Sequence, residues 1–480
     1  MVTKKDFKKI SDYLWEIPRS FKSDMRVPAR AYVSEKMLEE SFKDKSLEQL
    51  INISTLPGIQ KYALAMPDMH EGYASPIGGV AAIRISDGVI SPGVCGYDIN
   101  CGMRLLKSSH NEKEIKPYLE KLAEEIQKEV PSGLGRGRQT KLSLKQIDQI
   151  LNEGTHVLLK QGYGEEEDVK NCEASGKLDW ADSSVVSSYA KNRGRDQVGT
   201  LGSGNHFLEI QKVEEIFDEE TAKIFGLFKN QIVLTVHTGS RGLGHQVCTD
   251  YLKTMIPAMQ RYGIKVPDKE FACVPFNSSE GQRYFKAMAA AANYAWSNRY
   301  MIAHYSRQAW KKILGEKEKL ELLYDVAHNI IKKEKYIIGE KETEVIVHRK
   351  GATRAFPPGH QETPEKYRKV GQPVLIPGSM GTASYVLAGT KKGEESFFSV
   401  SHGAGRIMSR HQAIRTISGQ EVIKSLKSKG IIIKCWSMER IAEESPLAYK
   451  NIDEVVEVIH NAGLSKKVAK LAPLAVIKGE

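Results

Sequence analysis

The chain has 480 residues, 41% of them hydrophobic and 27% charged, an ordinary balance for a globular protein with a large core. No apolar run approaches the roughly 18 residues of a membrane span, so a membrane protein is not expected. Lys and Arg outnumber Asp and Glu by 70 to 59, and the resulting +11 suits a polyanionic partner such as nucleic acid, although a basic surface can also be merely solvated.

The N-terminus runs straight into mixed charge, Met1-Val2-Thr3-Lys4-Lys5-Asp6, without a signal peptide, which predicts a cytoplasmic protein. The six cysteines (Cys95, Cys101, Cys172, Cys248, Cys273, Cys435) include no C-x-x-C pair, so free thiols or metal ligands are expected rather than disulfides. Residues 1–60 read as helical in patches, with Met37, Leu38, Phe42, Leu47 and Leu50 at helical spacing. In Met66-Pro67-Asp68-Met69-His70, the Asp68/His70 pair is either a polar cluster or an Asp turn capped by the histidine. Residues 78–83 are strand-like and carry the chain toward its most distinctive stretch, Gly96-Tyr97-Asp98-Ile99-Asn100-Cys101-Gly102. There a carboxylate and a thiol stand three residues apart between glycines, and apolar flanks (Val89, Ile90, Val94, Met103, Leu105) place the loop inside the molecule. A buried carboxylate beside a buried thiol is costly unless something positive neutralises both. The loop is therefore either a structural turn or half of a metal site.

Residues 111–160 read as amphipathic helices interrupted by residues 131–138, whose glycines and arginines fit either a phosphate-wrapping loop or a flexible connector. The acidic run 165–168 reads as a solvated loop. A glycine-rich turn then delivers Asn205 and His206 to the mouth of a strand with Glu209 three residues on, and the buried strand 231–236 ends in His237 before another glycine loop. Residues 282–314 carry the longest helical pattern; His328 follows the apolar segment 322–327, and residues 344–348 and 373–376 are further strands entering glycine turns. Ser401-His402-Gly403-Ala404-Gly405-Arg406 completes the series, with Arg410 one helical turn beyond Arg406. No composition break or internal repeat divides the chain, so residues 1–480 are expected to form one large domain.

Asp98, Cys101, His206, His237 and His328 make a carboxylate, a thiolate and three imidazoles, enough for two ions if the sulfur bridges them or one ion with spare bases. Any of the histidines alone can be a satisfied core residue; donor softness favours zinc, iron or cobalt over magnesium. Around His402 the glycines let backbone amides approach an anion, and Arg406 and Arg410 can fork onto phosphate oxygens. Neutral imidazole is a competent nucleophile toward activated phosphorus, although the same loop can bind phosphate without being modified.

These motifs together resemble the RtcB-type RNA-splicing ligases. The matching segments contain Met66 to His70, Asp98 to Gly102, Leu201 to Glu209, His237 to His245, Asp325 to Asn329, His348 to Arg354, Pro377 to Ser384, His402 to Arg406 and Pro473 to Lys478, in the family's order. The resemblance implies an α+β fold with central β-sheets surrounded by helices. It also implies an enzyme that uses GTP and two Mn²⁺ to join RNA ending in a 2′,3′-cyclic phosphate or 3′-phosphate to 5′-hydroxyl RNA, tRNA halves or broken RNA being the substrates. By that likeness Cys101 bridges the two ions, His237 and His328 share one, and Asp98 and His206 share the other. His402 carries the guanylyl group. The nucleotide site would comprise Asn205, His206, Phe207, Leu208, Glu209, His328, Asn329, Pro377, Gly378, Ser379, Met380, Ser384, His402, Gly403, Ala404, Gly405, Tyr449 and Lys478. An archease-type activating protein is a further partner the family suggests. Cys95 and Thr238 depart from the usual pattern, and Cys95 could place a stray thiol near the metals. Two rivals remain: a metal-dependent phosphodiesterase that opens cyclic ends without joining strands, and an RNA-binding scaffold without turnover.

Overall fold

A computed structural model describes residues 2–133, 137–138, 141–435 and 437–479; of the glycine–arginine segment, residues 134–136 lie outside the described residues. Two large sheets dominate. The first runs in the order Lys8–Ser11, Leu14–Ile17, Ala29–Ala31, Ile59–His70, Ile77–Arg84, Lys341–Lys350 and Asn329–Ile338. The second runs Glu321–Ala327, Gly102–Asn111, Gln231–Thr238, Phe207–Ile216, Ser465–Lys478, Ser384–Gly389 and Pro373–Ile376, with Ile432–Lys434 added in parallel to Ser465–Lys478. With helices around both sheets, the α+β class expected from the sequence is the one found. No helix among the described residues is long and apolar enough to cross a membrane.

The register of the second sheet positions the site. Gly102 pairs with Thr238 and with Ala327, and Phe207 pairs with His237. Cys101, His206, His237 and His328 therefore stand at neighbouring strand ends. Gln231–Thr238 is buried along its whole length, which explains why Ile232, Val233, Leu234 and Val236 are apolar without a solvent-facing alternation. The helix Ser279–Leu314 packs beneath. Ser278 caps it by accepting from the Gly281 amide, and the Ala287–Ala292 stretch is buried on every side. One apolar core extends from Phe7 to Leu464 and takes in residues of both sheets.

Four expectations need correction. Residues 1–60 hold the helices Glu35–Ser41 and Ser46–Ile53, but also three strands; Lys8–Ser11 is exposed throughout and so has no alternation to read. Asp68 and His70 lie in the strand Ile59–His70 rather than in a turn. The acidic run includes the start of the helix Glu166–Lys170, and Asp168 is buried against Arg307 Nη2 at 2.8 Å. Cys95 is fully buried beside Tyr284 and stands outside both ligand groups; burial pushes its thiol up to about 12.

Candidate active site

Asp98, Cys101, His206, His237 and His328, far apart in the chain, come together in two groups that share Cys101. His237 and His328 complete one, Asp98 and His206 the other, and the ligand atoms of each group lie within 4.8 Å of one another. Cys101 Sγ is 3.3 Å from His237 Nε2 and 3.5 Å from His206 Nε2; His237 Nε2 is 3.2 Å from His328 Nε2.

Backbone carbonyls set the tautomers. His237 Nδ1 lies 3.0 Å from the Asn205 oxygen and His206 Nδ1 lies 3.1 Å from the Leu201 oxygen. A carbonyl only accepts, so both rings donate from Nδ1 and turn Nε2 inward. His206 Nε2 then faces Asp98 Oδ2 at 2.8 Å, and two acceptors that close require a proton or a cation between them. Burial, reinforced by the other imidazoles, holds His237 and His328 well below the ordinary histidine range, the neutral state that a metal needs. Burial and Asp98 hold the Cys101 thiol well above its usual value, so only a bound cation would stabilise the thiolate. His328 Nδ1 is buried and unpartnered. These donors fit two soft-tolerant divalent ions.

The surrounding braces explain how the loop is held. Asp98 Oδ1 accepts from the Ser240 amide at 3.0 Å, and a Cβ at Gly239 would stand 2.4 Å from that oxygen, so only glycine fits. Buried Arg299 pairs with Asp325 at 2.8 Å and donates to the carbonyls of Asn100 (2.7 Å) and Thr238 (2.9 Å). One guanidinium thus ties together the segments that carry Cys101, His237 and His328.

His402 follows the strand Ser399–Ser401, and its ring centroid lies 5.0 Å from that of His328. Its Nδ1 is 2.6 Å from Asp68 Oδ2, and the same oxygen accepts from the amides of His402 (3.0 Å) and Gly403 (3.3 Å). Burial pushes Asp68 up, but the His402 ring and amide outweigh it and leave the carboxyl below its usual value. An ionised Asp68 fixes the Nδ1–H tautomer and leaves the Nε2 lone pair available. Gly405, at φ +73°, passes so close that a Cβ would stand 2.2 Å from the Asp68 carbonyl oxygen.

The pocket beside His402 is lined by Asn205, Phe207, His237, Pro377, Gly378, Ser379, Met380, Gly403, Ala404, Gly405, Tyr449 and Lys478. His70, Ile77, Arg406, Arg410 and Glu444 line it too, outside the set named from the sequence. Other residues of that set sit behind the wall. Leu208 is core, Asn329 braces the Asp98 carbonyl (3.0 Å) and the Gly351 amide (2.8 Å), and Ser384 accepts from Gln211 (3.0 Å) and the Gly378 amide (3.2 Å). Arg406 and Arg410 are already paired, with Glu444 at 3.2 Å and Glu443 at 3.0 Å.

A family model described as tRNA-splicing ligase RtcB matches residues 49–479. The chain belongs to the RtcB family. A tRNA-splicing ligase RtcB of Archaeoglobus fulgidus is 52% identical over 476 residues, 98% of each chain. One from Aeropyrum pernix is 51% identical over 477 residues, 98% of this chain and 99% of its own. An RNA-splicing ligase RtcB of Mycobacterium tuberculosis is 48% identical over 434 residues, 90% of this chain and all of its own. Within this RtcB-family chain, Ile77, Arg299 and Glu444 are site residues that sequence reading did not single out, and Asp68, read there only as a polar cluster or a turn, is the carboxylate that orients His402. Asp68 did stand in a matching motif; Glu444 carries no glycine or spacing signal.

Proposed function

We propose that the protein is a GTP- and Mn²⁺-dependent RNA ligase that joins 2′,3′-cyclic phosphate or 3′-phosphate ends to 5′-hydroxyl ends through guanylylated His402. The supporting observation is the placement of an Asp68-oriented imidazole against the shared-cysteine ligand cluster. His402 Nε2 attacks the α-phosphorus of GTP; the N–P bond forms as the bond to the bridging oxygen breaks and pyrophosphate leaves. Asp68 stabilises the charge that grows on the ring. Two divalent ions at the clustered ligands would offset the negative charge of the phosphates. The choice of manganese follows the family resemblance rather than donor softness. GMP then passes from His402 to an oxygen of the RNA 3′-phosphate, which a cyclic end acquires when water opens its ring. Attack by the 5′-hydroxyl oxygen on that phosphorus expels GMP and closes the strand. tRNA halves are the natural substrate class, since the relatives carry tRNA splicing in their names, and an archease-type protein is the expected activator.

An RNA pair with both ends present tests this reading. Joined product that requires GTP is expected; ring opening without joining would instead indicate a cyclic phosphodiesterase, and binding without turnover a scaffold.

Glu209 supplies a pH test. Its Oε2 accepts from Gln211 at 2.6 Å, while Oε1 is buried and unpartnered, an acceptor suited to the N–H edge of guanine. Burial pushes its carboxyl up to about 8 against the pull of Lys478. Below that pH it is protonated and cannot accept from both guanine donors. GTP affinity, followed by calorimetry, is expected to rise between about pH 7 and 9, and the rise to vanish in Glu209→Gln. In the empty protein the sign is opposite: stability falls from pH 4.5 to about 8, because the unfolded chain has released a proton that the folded one keeps.

A further inference from the structure

The residue before Asp98 belongs to an aromatic cluster that the chemistry above does not use. Tyr97 is half-buried and stacks on His245, with ring centroids 4.7 Å apart and planes at 30°. Tyr73 meets Tyr97 edge-on at 5.1 Å, and both Tyr73 and His245 are exposed. Gln246, next to His245, accepts from the exposed Arg193 at 3.0 Å. Tyr189, 64% exposed, lies four residues before Arg193 on the helix Ser188–Gly194 and so shares its face. The nearby carboxylates are engaged, Asp98 by His206 and the Ser240 amide, Glu270 by the Ala74 amide at 3.0 Å.

We propose that Tyr73, Tyr97, His245, Arg193 and Tyr189 form a stacking strip for unpaired bases of an RNA end whose terminal group is delivered to the metal groups at Asp98. Tyr73 and His245 expose their rings against half-buried Tyr97, and exposed rings in mutual contact mark a binding surface. Base faces stack on such rings without regard to sequence, and a guanidinium can stack too or neutralise a phosphate. Only single-stranded RNA presents free base faces, and the +11 charge favours a polyanion. The strip deepens the ligase reading and rests on RNA being the substrate.

The test uses the full-length protein and a short RNA carrying 2-aminopurine next to either a 3′-phosphate or a 5′-hydroxyl end. Binding is followed by anisotropy and by 2-aminopurine quenching, without GTP. For at least one of the two ends, His245→Ala and Tyr73→Ala are each expected to weaken binding about tenfold and relieve quenching, and His245→Phe to restore both. The responsive label identifies the strand that lies on the strip. Unchanged affinity and quenching for both ends in both alanine variants would overturn the proposal. Guanylylation of the same proteins by GTP is measured separately. Ring-dependent RNA binding without guanylylation would support the strip while rejecting the ligase mechanism, and guanylylation without ring-dependent binding would do the reverse.

Discussion

Replacing Asp68 with asparagine is expected to slow guanylylation of His402 by about 10³-fold or more while leaving metal binding intact. The carboxylate accepts from Nδ1 at 2.6 Å and from two backbone amides, so the ring is held with its proton on Nδ1. All three donors converge on Oδ2, so an asparagine oxygen in that place keeps them but carries no charge, and the ring cation that forms as Nε2 attacks loses its stabilising anion; an NH₂ in that place would face three donors with a donor. The equivalent exchange in a Ser-His-Asp triad costs about 10⁴-fold. Label transfer from α-labelled GTP, timed against the parent, reads the effect. A variant within tenfold of the parent would show that the carboxylate charge does not matter and that Asp68 only supports the loop.

Replacing Cys101 with alanine is expected to remove both metals together, because its sulfur is the one atom that belongs to both ligand groups. Asp98→Ala and His328→Ala each disturb one group and should each leave one ion in place. Loss of even a hydrogen-bond partner of a metal ligand weakens binding by up to about a hundredfold, so losing a shared ligand should exceed that at both positions. Equilibrium dialysis against Mn²⁺ with metal analysis gives the stoichiometry. Two ions retained by Cys101→Ala would mean that the sulfur does not bridge.

The parts of this site that could be read in the sequence are those with local signatures. His237 ends an apolar run and precedes a glycine loop; Cys101 and Asp98 sit between Gly96, at φ +96°, and Gly102, where a Cβ would stand 2.4 Å from the Val326 carbonyl oxygen. What escaped notice depends on partners remote in the chain. Asp68 meets His402 across 334 positions, and nothing near Asp68 distinguishes a strand carboxylate from a turn. Arg299 lies within an Ala- and aromatic-rich helix, where a lone charge resembles a solvent-facing position; its partner Asp325 and the carbonyls it receives belong to other elements. Asp168 was hidden in a run of like charges because only the packing of Arg307 selects it for burial. Arg406 and Arg410 look like free phosphate ligands until Glu443 and Glu444, more than thirty positions onward, are seen to hold them. The long helix was legible because its Ala- and aromatic-rich middle is unbroken by Gly or Pro, and the N-terminal strands were not because their outer edge is solvated.

If a metal cluster and an oriented imidazole make His402 a nucleophile toward GTP, the modified protein can be weighed by intact-mass spectrometry after incubation with GTP and Mn²⁺. One added GMP is expected, removed by mild acid and absent from His402→Ala; an unmodified parent protein, or an adduct that survives in His402→Ala, would rule out a nucleophilic His402.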